Sequence, residues 1–532
     1  MLESIGTGCI FLELMKKIAF IIGVIFTAAI LQACQFANQF KPISTPLPTI
    51  THTPTNTVSP TAAPTNTVTF SPTPTITPSP TETPTPTLTP IIQSDPVTIE
   101  LTGHLHEDRP QLSGTVRFVD TQHFRIFYTM SGEDAIQVSD GNGNAIPDYV
   151  EEVAFALEHS WDVEIDQLGW AEPPPDDDLG GNDLFDVYLE DLDRYIIGYV
   201  SGGDPSNKVG DNSRTDIVET TASFSHMGLD NDFAEIEEIE DIKLSGMDFM
   251  RTTVAHEFNH TLQYGYDSEE PHRWFWEATA TWVETYVWED IKDSDTHITA
   301  AFKSPDSCLL DYGGWDRVES AGHWYALWVF LRYMSENLQV TIIRDIWEKL
   351  VTLDGYDGFE AALANYGTTL NEVFQGYTVA LLLRNFEYDL EYPTVRLEGV
   401  VEGITSWAPN DGVGQMGADF VEIDASGIIE ISLWKLTEGI VVGIRDGEAD
   451  IFHLQDAKTT VNADDYDHVY LIVLNLDRAE SMDDCRMTPY RVRVLKGEEA
   501  ATPDETLPAN HFEIPSVEPL EDPNARYEDD NE

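Results

Sequence analysis

The chain has 532 residues and carries 29 Lys+Arg against 94 Asp+Glu, a formal net charge of −65. Charge of that sign argues against binding nucleic acid or anionic lipid surfaces through electrostatics, and it favours solubility and cation binding. The length exceeds that of one ordinary domain.

In chain order, Met15-Lys16-Lys17 opens a basic stretch, residues 18–30 form an apolar run, and Leu31-Gln32-Ala33-Cys34 reads as a lipobox. Cleavage before Cys34 and lipidation of its thiol are expected, so residues 1–34 read as a lipoprotein signal peptide. The chain is then anchored outside the cytoplasm, at a bacterial cell surface, or secreted. Residues 35–95 are dominated by Thr, Pro and Ser, which bury no apolar area and predict a disordered, extended stalk. Residues 96–393 read as one α+β catalytic unit. In it, residues 124–128 and 184–189 have the β-branched and aromatic content of strands. Residues 140–151 place Asp140, Asn142, Asn144, Ile146, Asp148 and Glu151 at the ligand positions of a calcium loop, with Ala145 where the sharp turn usually takes Gly. The alternative is an Asx-rich turn capping a helix from Pro147 to about Trp161. Residues 223–230 are expected to be an edge strand along which a peptide could add, with His226 structural.

His256-Glu257-Phe258-Asn259-His260 follows. On a helix, positions i and i+4 share a face, so both imidazoles can reach one metal ion, and the pair suits zinc. Glu257 lies roughly 100° round the axis, where a general base would sit. Random matching gives roughly 0.03 such motifs per chain of this composition. Ser245 with Asp248 predicts the start of the helix, and Gly265 its stop. Apolar stripes on two sides make it an interior helix, where uncompensated histidines and a glutamate would be costly. Glu277 is the expected third ligand, at the start of a second helix running to about Trp288. Asp267 and His272, in the intervening loop, are its rivals. Small Ala278 and Ala280 permit close crossing, and Glu284 falls on the ligand face to orient a histidine. Trp274, Trp276, Trp282 and Trp288 read as core packing.

With HEFNHTLQYGYD followed by WFWEATATW, the chain resembles the gluzincins, zinc metallopeptidases of the thermolysin-like clan, and more narrowly a bacterial family of secreted or lipoprotein metallopeptidases. The likeness extends through GNGNAIPDYVEE, DLFDVYLED, MGLDNDF and YALWVFLRYMSENL, about half of the chain. The resemblance implies a twisted β-sheet with active-site helices and hydrolysis of peptide bonds by a Glu257-assisted water. The gap before Glu277 is shorter than in well-known gluzincins.

Downstream, residues 324–337, 341–350 and 370–384 are amphipathic enough for helices. His323 and Tyr325 are the candidates for donating to an oxyanion. Residues 394–498 change to short strands separated by Asp/Gly/Asn turns and read as a small all-β sandwich. Residues 499–532 read as an acidic disordered tail. Cys308 and Cys485 either pair in a disulfide or stay as buried thiols. The overall expectation is a monomeric cell-surface zinc endopeptidase acting on protein or peptide, with Zn2+, a candidate Ca2+ and no nucleic-acid partner. Two rivals stand beside it: a weakly active or inactive adhesin on a metallopeptidase fold, and a calcium-stabilised structural protein of the envelope.

Overall fold

The computed structural model describes residue 106 and residues 108–192, 196–234, 244–293, 297–312 and 322–517. The signal peptide, Cys34 and the stalk lie outside the described residues. No helix among the described residues is long and apolar enough to cross a membrane.

The chain is mixed α+β. Strands β1 (Arg117–Asp120), β2 (Phe124–Tyr128) and β3 (Phe185–Glu190) join β4 (Gly198–Val200) and β7 (Met227–Asp230) in one sheet, in the order β1-β2-β3-β7-β4. β2, β3 and β7 run parallel, while β1 and β4 pair antiparallel at the edges. β5 (Lys208–Gly210) and β6 (Ala222–Ser223) form a separate ribbon. The expected edge strand at 223–230 is therefore corrected: every residue of β7 is buried and both its sides are paired, and the edge is β4. A strand buried on both faces is an interior strand of a sheet covered by helices.

Helix α1 (Asp148–Trp161) leads into a π-helical segment, Asp162–Gln167. It packs on α2 (Gly246–Tyr266), which carries the histidine pair, and on β2. Ser245 caps α2 as expected, its Oγ accepting from the Asp248 amide at 3.1 Å. Gly265 does not stop the helix, which runs to Tyr266. It gives room instead, since a Cβ there would stand 3.2 Å from Pro174 Cδ. α3 (Arg273–Val287) crosses α2, with Ala278 and Ala280 fully buried at 0% exposure. α4 (Ile298–Lys303), α5 (His323–Ala326), α6 (Trp328–Asn337), α7 (Ile342–Leu350), α8 (Tyr356–Leu363) and α9 (Leu370–Leu383) complete the helical layer.

The remaining strands make two sheets. β8 (Gly399–Glu402), β10 (Gly417–Asp424), β12 (Glu438–Arg445), β13 (Glu448–His453), β15 (His468–Asn475) and β17 (Glu505–Pro508) order as β17-β13-β12-β15-β10-β8. β9 (Ser406–Trp407), β11 (Ile428–Trp434), β14 (Lys458–Asn462) and β16 (Arg491–Lys496) order as β14-β11-β16-β9. Val421, Ile431, Val441, Leu471 and Val492 fill the space between the sheets, which gives the expected sandwich. The six-stranded sheet is buried on its other face too, where Phe420, Ile440, Val442 and Ile472 join the core of the helical layer. β17 corrects the expectation of a disordered tail from residue 499. Leu507 packs partly against the core, and β13 supplies the hydrogen-bonding edge that holds an otherwise acidic segment.

Cys308, between α4 and α5, is bonded to Cys485, on the loop before β16, across 177 residues. Closing a loop of that length removes about 5 kcal/mol of unfolded-state entropy in the chain-entropy model, and native disulfides are worth about 2–5 kcal/mol in practice. Replacing both cysteines by serine should lower the urea midpoint by a corresponding amount with the fold retained. A midpoint equal to wild type would show that the bond contributes no stability.

Candidate metal centre

Three donor side chains meet where α2 and α3 cross. His256 and His260 stand one turn apart on α2, with ring centroids 4.8 Å apart. Glu277 comes from the first turns of α3. Its Oε2 is 3.4 Å from His256 Nε2 and 3.6 Å from His260 Nε2, and one donor atom from each of the three lies within 4.8 Å of the others. Those separations are long for hydrogen bonds. Donors on a tetrahedron with zinc bonds of 2.0–2.1 Å stand about 3.3–3.4 Å apart, so the spacing suits ligands that share one cation. The group is half-buried while its neighbours Ala255, Phe258 and Ala278 are at 0% exposure, so the three side chains keep partial access to solvent beside a closed core.

Each imidazole is held from behind. His256 Nδ1 is 2.7 Å from Glu284 Oε1, the partner expected from sequence, two turns along α3 from Glu277. His260 Nδ1 is 2.8 Å from Gln263 Oε1. Gln263 is fixed in turn, since its Nε2 donates to Asn259 Oδ1 at 2.6 Å and to the Trp276 carbonyl at 3.1 Å. Asn259 Nδ2 donates to Glu164 Oε2 at 3.0 Å, on the π-helical segment. When the imidazoles are neutral, an acceptor at each Nδ1 places the proton there and turns both Nε2 lone pairs toward Glu277, which is the tautomer a metal ligand needs. The donor set therefore fits a borderline-soft divalent ion.

Charge couples the three side chains: burial lowers the His256 imidazole, but hydrogen bonds to Glu277 and Glu284 outweigh it and raise the group well above its usual value. Burial pushes the Glu277 carboxyl up, but the imidazoles of His256 and His260 more than reverse it and hold the group well below the usual range. Burial likewise pushes Glu284 up, to about 7, against the pull of His256. Glu257 points aside from the two histidines, as its place on the helix requires. Burial raises its carboxyl while both imidazoles oppose the rise. It lies against the edge strand: a Cβ on Gly198 of β4 would stand 2.9 Å from Glu257 Cγ and 2.9 Å from Thr253 Cγ2. Only glycine lets β4 pass so close to that carboxylate.

The remaining candidates divide. Tyr325 of α5 lies in the centre: its ring is 6.0 Å from that of His256, its hydroxyl bonds to Glu277, and burial followed by the Glu277 charge raises its pKa. His323, two residues earlier, does not join it. It is buried against a small cavity lined by Leu309, Leu327, Phe374 and Met416, and burial lowers its pKa to about 4. Asp267 and His272 do not reach the histidines either. Asp267 groups with Glu270 and Asp354, and His272 packs on Gly355 and Tyr356. His226 is buried and bonded to Ser201 Oγ at 2.8 Å, a structural position. Three residues around the centre, Gln263, Glu164 and His297, are not among the sequence candidates. His297, beside the start of α4, puts its ring 5.1 Å from that of Tyr325, and burial with the nearby His256 lowers its pKa to about 4.

The loop before α1 closes on itself. Asp140 Oδ1 accepts from the Gly143 amide at 2.7 Å, Asp140 Oδ2 accepts from the Ala145 amide at 3.0 Å, and Asn144 Nδ2 donates to Glu151 Oε1 at 2.6 Å. Ala145 takes φ of 69°, the left-handed turn that a cation loop places at this position. Asp148 Oδ1 accepts from the Gly141 amide, and the Ile146 amide donates to Asn144 Oδ1.

Residues 242–402 match the model of a family of unknown function, DUF6055. No curated protein matches the chain. The matched span runs from just before α2 to the end of β8, so it contains the His-His-Glu group, Tyr325 and the first strand of the β region.

Gln263 and Glu284 should each matter to metal affinity without touching the ion. Gln263→Leu and Glu284→Leu are expected to weaken divalent-metal binding about 10–100-fold, measured by competition with a chromophoric chelator. Unchanged affinity in both would remove the orienting role given to these residues.

Proposed function

We propose that the chain is a zinc-dependent peptidase of the gluzincin type, acting as an endopeptidase with Glu257 as general base. The convergence of His256, His260 and Glu277, with Glu257 next to them, carries the reading. Zinc, when bound by those three residues, supplies a Lewis acid that polarises a carbonyl and acidifies water. Glu257 takes the proton of the attacking water and returns it to the leaving amine, a role favoured by its burial and by its lying beside the ligands rather than among them. The Tyr325 hydroxyl is directed at Glu277 and is available to donate to the carbonyl oxygen as negative charge develops there.

The edge strand supports a peptide as substrate. β4 ends its sheet and passes directly over Glu257, so an extended chain could add backbone hydrogen bonds along that edge and bring an amide to the base. Two imidazoles with one carboxylate also suit ferrous iron, but a buried carboxylate beside the ligands serves proton transfer in hydrolysis. The disulfide supports the proposal that the enzyme works outside the cytoplasm, where such bonds persist. Lipid anchoring through Cys34 and structural calcium in the 140–151 loop belong to the same proposal.

Purified protein should release new termini from a peptide library, lose that activity to a chelator and regain it with zinc. Glu257→Gln should abolish turnover with zinc content unchanged by elemental analysis, and cleavage at the wild-type rate would end its assignment as base. Tyr325→Phe should lower kcat about 100-fold with KM nearly constant, the signature of a donor used in the transition state. A rise in KM alone would assign Tyr325 to substrate binding instead.

A further inference from the structure

The outward face of the four-stranded sheet inverts the charge of the chain. On that face of β11, β14 and β16, with Lys435 beside the Trp434 ring, there are four basic residues, Lys435, Lys458, Arg491 and Arg493, and one acid, Glu430, whereas the whole chain has 29 basic against 94 acidic residues. Strand register gathers three of them on one surface. Ser432 pairs with Lys458 on one side and Arg493 on the other, and Trp434 pairs with Arg491. Val492 and Val494 point into the sandwich, so Arg491, Arg493 and Leu495 point away from it. Lys458 is 3.3 Å from Glu430, but among the described residues neither Arg491 nor Arg493 has a carboxylate partner.

The same face exposes apolar area. Trp434 is 58% exposed, with the Lys435 ammonium 5.3 Å from its ring centroid, and Leu495 is 36% exposed. Aromatic and Arg side chains together mark an interface rather than a surface kept for solubility, which this chain supplies with acids elsewhere.

We propose that this face binds an anionic polysaccharide, with the guanidinium groups of Arg491 and Arg493 on sugar carboxylates and the Trp434 ring against a sugar ring. Along a strand, Arg491 and Arg493 stand about 7 Å apart, and Lys458 and Arg493 are separated by about 10 Å across two strand spacings. That is a narrow strip suited to one linear polymer. Arg forks match carboxylates in bidentate geometry, and Ser432 adds a neutral hydroxyl between the cations. Net charge of −65 decides against the competing polyanions. Duplex DNA carries one charge per about 1.7 Å and is repelled by the rest of the molecule far more than a polymer with at most one carboxylate per sugar. A bilayer would press the acidic surroundings of the strip to within about 10 Å, inside the Debye length. This proposal is independent of the metal centre.

The test is binding of the full chain to polygalacturonate by calorimetry, with dextran, poly-glutamate and phosphatidylglycerol vesicles as comparisons. The variants are Arg491→Glu with Arg493→Glu, and Trp434→Ala. All three side chains point to solvent, and matching melting curves will show that the variants fold. Wild type is expected to bind polygalacturonate, more weakly as salt rises, and to ignore dextran. The double variant should bind at least about tenfold more weakly and Trp434→Ala several-fold more weakly. Equal binding by wild type and the double variant overturns the proposal. So does absence of binding, or tighter binding to poly-glutamate or to vesicles.

Discussion

The pair of hydrogen bonds behind the histidines governs the rest of the structure. An imidazole offers one lone pair only when its other nitrogen keeps the proton, and a buried Nδ1–H without an acceptor would be costly. Glu284 and Gln263 meet that need for His256 and His260. Each then has a need of its own. Gln263 is anchored to Asn259 and to the Trp276 carbonyl, which ties α2 to α3 at their crossing. Asn259 reaches Glu164, on a segment whose π-helical winding departs from the regular helix before it. Such windings are frequent at functional sites because they re-aim a side chain that a regular helix would turn elsewhere. The chain Glu164, Asn259, Gln263, His260, with the Trp276 carbonyl bonded to Gln263, thus joins the π-helical segment, α2 and α3 through polar groups rather than apolar packing.

Much of this centre was legible in the sequence, for a definite reason. His256, His260 and Glu257 lie within five residues on one helix, so local periodicity alone fixes their relative directions. Glu277 and Glu284 are seven apart on the next helix, and the same arithmetic puts them on one face. Gln263 obeys that rule as well, three residues after His260, but an amide advertises no chemistry and was passed over. Glu164 and His297 could not be found: each reaches the site through tertiary contacts that no spacing encodes. His323 and Tyr325 show the limit from the other side. Two residues apart on a helix point in different directions, and only Tyr325 faces the ligands.

The fold was readable to a similar depth. β2 was anticipated at its observed bounds, and α6, α7 and α9 within a few residues. The edge strand was misassigned because the choice between 198–200 and 227–230 depends on strand order, which is not local. β17 is not legible because it is only four residues, Glu-Thr-Leu-Pro, set in a stretch rich in Asp, Glu and Pro, and what holds it is a partner edge rather than its own propensity. The sandwich was seen as a unit of its own. Yet the six-stranded sheet shares its second face with the helical layer, which explains the long apolar interiors of β12 and β15.

The bridge between Cys308 and Cys485 also bears on how the molecule is made. At elongation rates of 5–20 residues per second, the second thiol leaves the ribosome roughly 9–35 s after the first, so the helical layer must wait in an unfastened form. Until then the contact between the loop after α4 and the loop before β16 rests on packing alone, and the bond fastens an arrangement that the rest of the chain has already made.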